Sequence, residues 1–162
     1  VVGFPGALMI GSEDVLTFDC DILIPAALEC QVTTVNASDV KAKLVVEAAN
    51  GPLTAAADET LRYKGIVVLP DILANAGGVV VSYFEWVQNL EYQKWKLDKV
   101  ERLLNQKMCD AVDETMDRFE ELTQRHEQGE NKDLPGPTLR DAALVSAISR
   151  IASVVLQRDI WP

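Results

Sequence analysis

Histidine is nearly missing from this sequence: His126 is the only one in 162 residues. That excludes a metal cluster built on imidazoles and a nucleophile–histidine triad. Cysteine is scarce too. Cys20, Cys30 and Cys109 are odd in number and lack CxxC spacing. They exclude a disulfide framework and read as the reduced thiols of an intracellular protein. Basic residues are outnumbered, 15 Lys and Arg against 25 Asp and Glu, for a formal net charge of −10. Nucleic acids and anionic membranes need basic patches, so neither is expected as a partner. No apolar run is long enough to cross a bilayer, and there is no signal-peptide pattern. Internal repeats and low-complexity tracts are missing as well. The chain opens at Val1-Val2 without an initiator methionine and runs into Gly3-Phe4-Pro5-Gly6, as though cut in mid-domain. The expectation is a fragment.

What is present is a globular composition, 48% hydrophobic and 25% charged, arranged as short apolar runs between helical pieces. Asp21-Ile22-Leu23-Ile24 is stopped by Pro25. Lys43-Leu44-Val45-Val46-Glu47 gives way to Ala48-Ala49-Asn50-Gly51-Pro52. Ile66-Val67-Val68-Leu69 closes on Pro70-Asp71. Apolar runs of this length without alternation fit parallel strands buried on both faces. A helical piece is expected over about 26–35. Thr54 is placed to cap a helix running to about Tyr63, with Gly65 as its left-handed stop. Strands alternating with helices predict a parallel sheet of βαβ units.

From Asn75 the chain reads as a second helix. Asn75 suits an N-cap, its side-chain oxygen accepting from an amide of the first turn. Gly77 and Gly78 leave that turn open to close approach by a ligand. Val79 and Ser82 share a face that Tyr83 and Trp86 continue. After a polar break over 89–96, helical spacing from Leu97 to Leu122 predicts a long amphipathic helix. Residues 129–137 form a loop. Thr138 and Asp141 resemble a capping box, and the apolar helix over 142–156 is expected to be largely buried.

Direction gives these pieces a function. In a parallel sheet the turns at Pro25-Ala26-Ala27, Ala49-Asn50-Gly51 and 70–78 all leave the carboxyl ends of strands, where open α/β sheets bind ligands. Ala26, Ala27, Ala49, Gly51, Gly77 and Gly78 leave room for a flat ligand. Asn50 and Asn75 can each donate and accept.

DCDILIPAALECQVT, VKAKLVVEAANGPLTAAAD, VVLPDILANAGGVVVSYFEWVQN and LRDAALVSAISRIASVVLQRDIWP, in that order, resemble the C-terminal part of a hexameric glutamate dehydrogenase. The resemblance covers almost everything outside about 114–137. It implies an α/β fold: a partial, Rossmann-like doubly wound parallel sheet of about three strands followed by long C-terminal helices. Residues 1–90 would be the C-terminal half of a dinucleotide-binding domain, and 91–162 a helical segment packing on it and toward the hinge.

By the same resemblance Ala26, Ala27, Ala49, Asn50 and Asn75 would line NAD or NADP. Val79 would shape the substrate pocket and Ser82 would hydrogen-bond the side-chain carboxylate of L-glutamate. The implied reaction moves hydride from the glutamate α-carbon to the nicotinamide, giving an iminoglutarate that water converts to 2-oxoglutarate and ammonia. Related leucine, valine and phenylalanine dehydrogenases share NAGG without a matching SYFEW, so Ser82 favours a carboxylate-bearing substrate.

Much of the machinery is missing. There is no GxGxxG, no acidic residue about 20 positions beyond it, and no counterpart of the family's catalytic lysine and aspartate, which lie upstream. Lys94, Lys96 and Lys99 sit in a polar stretch and are not assigned that role. No catalytic residue and no metal ligand is therefore expected in this chain, which alone would be inactive. The short stretch between Asn89 and Leu97 lacks the antenna of animal members and favours the compact bacterial or archaeal type. A cytoplasmic homo-oligomer is expected, a hexamer in the full-length family, or a mitochondrial-matrix protein if the source is eukaryotic. Two alternatives stay open: a dehydrogenase for another amino acid, and a non-catalytic truncated homologue kept for subunit interaction.

Overall fold

A computed structural model describes residues 3–7, 9–12, 14–129 and 134–158. The chain divides into two compact units, Val1–Val68 and Leu69–Pro162.

The first unit is built on a parallel sheet of three short strands, β1 (Ile22–Leu23), β2 (Leu44–Val46) and β3 (Val67–Leu69), in the order β1-β2-β3. Ile22 pairs with Leu44 and Leu23 with Val45, and the Val67 amide donates to the Lys43 carbonyl at 3.2 Å. The crossover from β2 to β3 is α1 (Ala55–Tyr63). Its ends are set locally. Thr54 Oγ1 accepts from the Ala57 amide at 3.3 Å. At the other end Gly65, at φ +73°, donates to the Arg62 carbonyl at 2.9 Å while the Ile66 amide reaches Leu61 at 3.0 Å. That pair of bonds is the Schellman stop, which needs a left-handed residue and so favours glycine. Leu61, Val45, Val32 and Val40 are fully or almost fully buried and form the centre of this core with Leu23 and Ala57.

Two expectations are corrected here. The sheet is not buried on both faces: Leu23 and Val45 are covered, but Ile22 is 53% exposed, and Ile24 and Val67 are similarly open. Alternation along each strand puts every second side chain on the uncovered face. Nor do residues 26–35 form a helix. The Cys30 amide donates to Gly51 at 2.8 Å, Gln31 and Val32 both donate to Pro52, and Thr54 returns a bond to Val32. Those amides pair across to another loop and are unavailable for i→i−4 bonding.

The second unit is helical: α2 (Asp71–Ala74), α3 (Ala76–Leu90), α4 (Leu97–Gln128) and α5 (Leu139–Gln157). α4 packs against both α3 and α5. Phe84 is buried beside Trp95, ring centroids 5.7 Å apart. Gln88 Oε1 accepts from the Trp95 amide at 2.6 Å, and Lys99 Nζ lies 3.6 Å from the Trp95 ring centre. These contacts hold the α3–α4 turn. α5 opens on the expected capping box: the Asp141 amide donates to Thr138 Oγ1 at 3.1 Å, and the Thr138 amide to Asp141 Oδ2 at 2.8 Å. Its expected burial is corrected. Ala142, Ala143 and Ser146 are buried, whereas Ile148, Ile151 and Leu156 are each more than 60% exposed. One side of α5 meets α4 and α2, and the other faces out. Of the loop expected at 129–137, residues 130–133 lie outside the described ones; 134–137 have no regular structure.

Candidate functional site

The sequence-derived site residues fall into two groups, one in each unit. In the first, prolines set the geometry. Pro25 follows β1 by two positions and Pro52 closes the turn after β2; both are buried. Proline ends a ladder because it has no amide to donate. The Ala49 amide donates to the Pro25 carbonyl at 2.9 Å, which ties the turn after β2 to the turn after β1. The remaining bonds between 30–32 and 51–54 extend that zip. Gly51 sits at φ +52°, where a side chain is strained.

The zipped loops enclose an open groove of about 430 Å³ lined by Ala27, Leu28, Glu29, Ala48, Ala49 and Asn50. Ala27, Ala49 and Asn50 are thus brought together. Ala26 is exposed in the same loop but does not line the groove. The lining sets three alanines and Leu28 beside the Asn50 carboxamide and the Glu29 carboxylate, so small apolar side chains stand next to hydrogen-bonding groups.

Sequence reasoning missed Glu47, which ends the second apolar run and is fully buried and partnered at the base of the Asn50 turn. A charged residue is rarely buried without a partner. The signal available was a lone carboxylate directly after two valines, at the point where β2 ends inside the core.

In the second unit a one-turn helix, α2, stands between β3 and α3, which the sequence did not reveal. Its consequence is at Asn75. The residue does occupy the α3 N-terminus, but with φ −104° and ψ 3° it makes no side-chain capping bond. Capping needs an extended backbone so that the side chain folds back over the first turn. Here the Asn75 amide is already held by the Asp71 carbonyl at 3.1 Å as α2 runs into α3.

The two glycines differ. A β-carbon on Gly77 would meet Leu104 and Met108 of α4 at 3.6 and 3.7 Å, so Gly77 faces the helix packing. Gly78 has open space at that position. Next to it Val79 is 74% exposed, and from one turn on Ser82, Tyr83 and Trp86 continue the open face. Ser82 Oγ donates to the Gly78 carbonyl at 3.0 Å. That carbonyl belongs to its own helix, so the hydroxyl has a local partner and is free to rotate toward another. Among the described residues, no group of three His, Cys, Asp or Glu side chains is placed to hold a metal, and no helix is long and apolar enough to cross a membrane.

Residues 4–158 match the family model for Glutamate/Leucine/Phenylalanine/Valine dehydrogenase. The NADP-specific glutamate dehydrogenase A1 of Halobacterium salinarum is 45% identical over 163 residues, covering 100% of this chain and 36% of the relative. The NAD-specific glutamate dehydrogenase A of the same organism is 45% identical over 154 residues, 95% of this chain and 32% of the relative. A solved hetero-hexameric glutamate dehydrogenase from Thermus thermophilus superposes with a TM-score of 0.81 at 30% identity, covering 99% of this chain and 36% of that one. The chain spans about a third of the length of the curated relatives it matches.

Proposed function

The chain belongs to the glutamate/leucine/phenylalanine/valine dehydrogenase family, and from that premise we propose that it is part of an NAD- or NADP-dependent dehydrogenase for L-glutamate. The reaction proposed is oxidative deamination to 2-oxoglutarate and ammonia. The observation that carries the choice of substrate is Ser82: an exposed hydroxyl on the open face of α3, beside Val79 and one turn beyond the bare backbone of Gly78. A hydroxyl there stabilises a substrate carboxylate and loses its partner against a methyl group.

The dinucleotide supplies the hydride acceptor. The groove beside Ala27 and Ala49 in the first unit and the open space at Gly78 in the second each leave room for a part of it. In this reading Ala27, Ala49 and Asn50 bound the nicotinamide side, with Ala26 in the same loop beside them and the Asn50 carboxamide orienting the ring. Asn75 contributes at the start of α3. Val79 excludes bulk beside the substrate, and Ser82 donates to its side-chain carboxylate. These residues bind and orient. Residues 1–90 contribute to nucleotide binding and 91–162 form the helical segment that follows. The complete enzyme is read as a cytoplasmic homo-oligomer.

The test is initial-rate kinetics on the complete coding sequence with L-glutamate, L-leucine and L-valine, each with NAD and NADP. Glutamate-dependent reduction of one or both dinucleotides is expected. Turnover of leucine or valine in place of glutamate would assign a different amino acid. A folded protein that reduces neither dinucleotide with any of the three would favour the non-catalytic alternative.

A further inference from the structure

We propose that Arg140 is a positioning residue: through Asp71 it fixes the one-turn helix α2 and so sets Asn75 for the dinucleotide. This rests on the reading of Asn75 given above.

The start of α5 is defined by its capping box, so the backbone of Arg140, its second residue, has a fixed origin. From there Arg140 Nη1 reaches Asp71 Oδ1 at 3.5 Å, with the two side chains only 24% and 23% exposed. The same carboxylate oxygen accepts from the Ile72 amide at 2.7 Å, and the Asp71 carbonyl accepts from the Asn75 amide at 3.1 Å. A short covalent and hydrogen-bonded path therefore joins the guanidinium to Asn75.

α2 needs such an anchor. Four residues make a single turn, which has no stability of its own. Packing beneath it is incomplete. Ile72 and Leu73 look onto a cavity of about 130 Å³ that also meets Thr115 of α4 and Ser146 and Ala147 of α5. Apolar contact across a void does little to fix the rotation of a helical turn, because contacts absent on one side contribute no restoring force. A partly buried ion pair adds a tether on that turn, and it is screened less than a surface pair.

α3 beyond the junction is held separately, by Gly77 against Leu104 and Met108 and by Phe84 against Trp95. Ser82 lies on that independently anchored helix. Loss of the Arg140–Asp71 contact should disturb the end of the site that meets the cofactor and spare the end that meets glutamate.

The experiment compares Arg140→Ala, Arg140→Lys and Asp71→Asn in the complete protein, with KM for dinucleotide and for glutamate measured separately and rates referred to folded protein. For Arg140→Ala and Asp71→Asn the dinucleotide KM is expected to rise about two- to five-fold, the upper part of what one such ion pair is worth. Glutamate KM and kcat should stay at the parent's values because α3 is anchored separately, and Arg140→Lys should recover part of the loss because it keeps the charge. A lowered melting temperature with both KM values unchanged would make the pair merely structural and overturn the inference. So would an equal rise in both KM values. If Arg140→Ala does not fold, Arg140→Lys and Asp71→Asn carry the comparison. A parent that turns over glutamate while these variants keep its dinucleotide KM defeats this inference alone. A parent that neither binds dinucleotide nor turns over glutamate defeats the functional reading, and this inference with it.

Discussion

Replacing Ser82 with alanine separates substrate recognition from stability, because the structure assigns the hydroxyl a dispensable partner. In the free protein Ser82 Oγ donates to the Gly78 carbonyl at 3.0 Å, on an exposed face of α3. A bond of this kind competes with the helix and contributes little to it, and alanine is the better helix former, so the melting temperature should hold or rise slightly. Binding is another matter. A hydrogen bond to a charged group is worth about 1.5–3 kcal/mol, and a neutral one about 1 kcal/mol. To serve a substrate carboxylate the hydroxyl must leave Gly78, so the net loss on substitution is the difference, about 0.5–2 kcal/mol. That is roughly a two- to thirty-fold fall in kcat/KM for glutamate. Leucine, which has no side-chain carboxylate, should lose nothing. The assay is the ratio of the two kcat/KM values, which does not depend on the fraction of active protein, with a thermal melt alongside. An Ser82→Ala protein whose glutamate-to-leucine ratio matches the parent's, at an unchanged melting temperature, would refute the assignment of Ser82 to the substrate.

Gly78→Ala should raise stability by roughly 0.5–1 kcal/mol through helix propensity, since open space awaits the methyl group. It should also raise the dinucleotide KM if the cofactor approaches that backbone; a more stable variant with unchanged KM would place the approach elsewhere. Leu61→Ala empties a fully buried position in the first core, with an expected loss of about 2–5 kcal/mol in denaturant unfolding. A loss under about 1 kcal/mol would mean that the site collapses around the void. Thr138→Ala removes the α5 cap and should cost about 1 kcal/mol, with faster amide exchange over the first turn of α5. Unaltered exchange there would show that packing alone fixes the helix start.

The features that were legible in the sequence are those decided within a few residues. Thr54 with Ala57, Gly65 with Arg62, and Thr138 with Asp141 each close a local hydrogen-bonded ring, and the residue type that closes it is visible in the chain. The amphipathic period of α4 is likewise local. What was not legible depended on partners far along the chain. Residues 26–35 carry a composition compatible with a helix, yet the amides of Cys30, Gln31 and Val32 go to Gly51 and Pro52, and no window around Cys30 contains that information. Asn75 has the right type for a cap. Its role was decided by α2, a turn too short to leave a periodic signature. Gly77 and Gly78 look alike in the sequence, and only the presence of Leu104 and Met108 on one side distinguishes a packing glycine from an open one.

Burial was the other point of difference, and it has one physical cause at Ile22, Ile24, Val67 and the outer face of α5. An unbroken apolar run records that each side chain gains by leaving water, at about 25 cal/mol per Å². It does not record that a covering surface lies within the same 162 residues. In β1 the pleat gives Leu23 such a surface from α1 and its neighbours and leaves Ile22 without one. In α5 the stripe through Ala142 and Ser146 finds α4 while Ile148 and Ile151 do not. Scattered exposed hydrophobes are ordinary on a protein surface, but several on one sheet face, or along one helix, mark surface the chain's own folding does not satisfy. The site residues behave differently. Ala27, Ala49 and Asn50 gather around one groove through backbone bonds made entirely within the first unit, so that part of the proposed site is formed by the zipping of two loops and needs no surface from elsewhere in the chain.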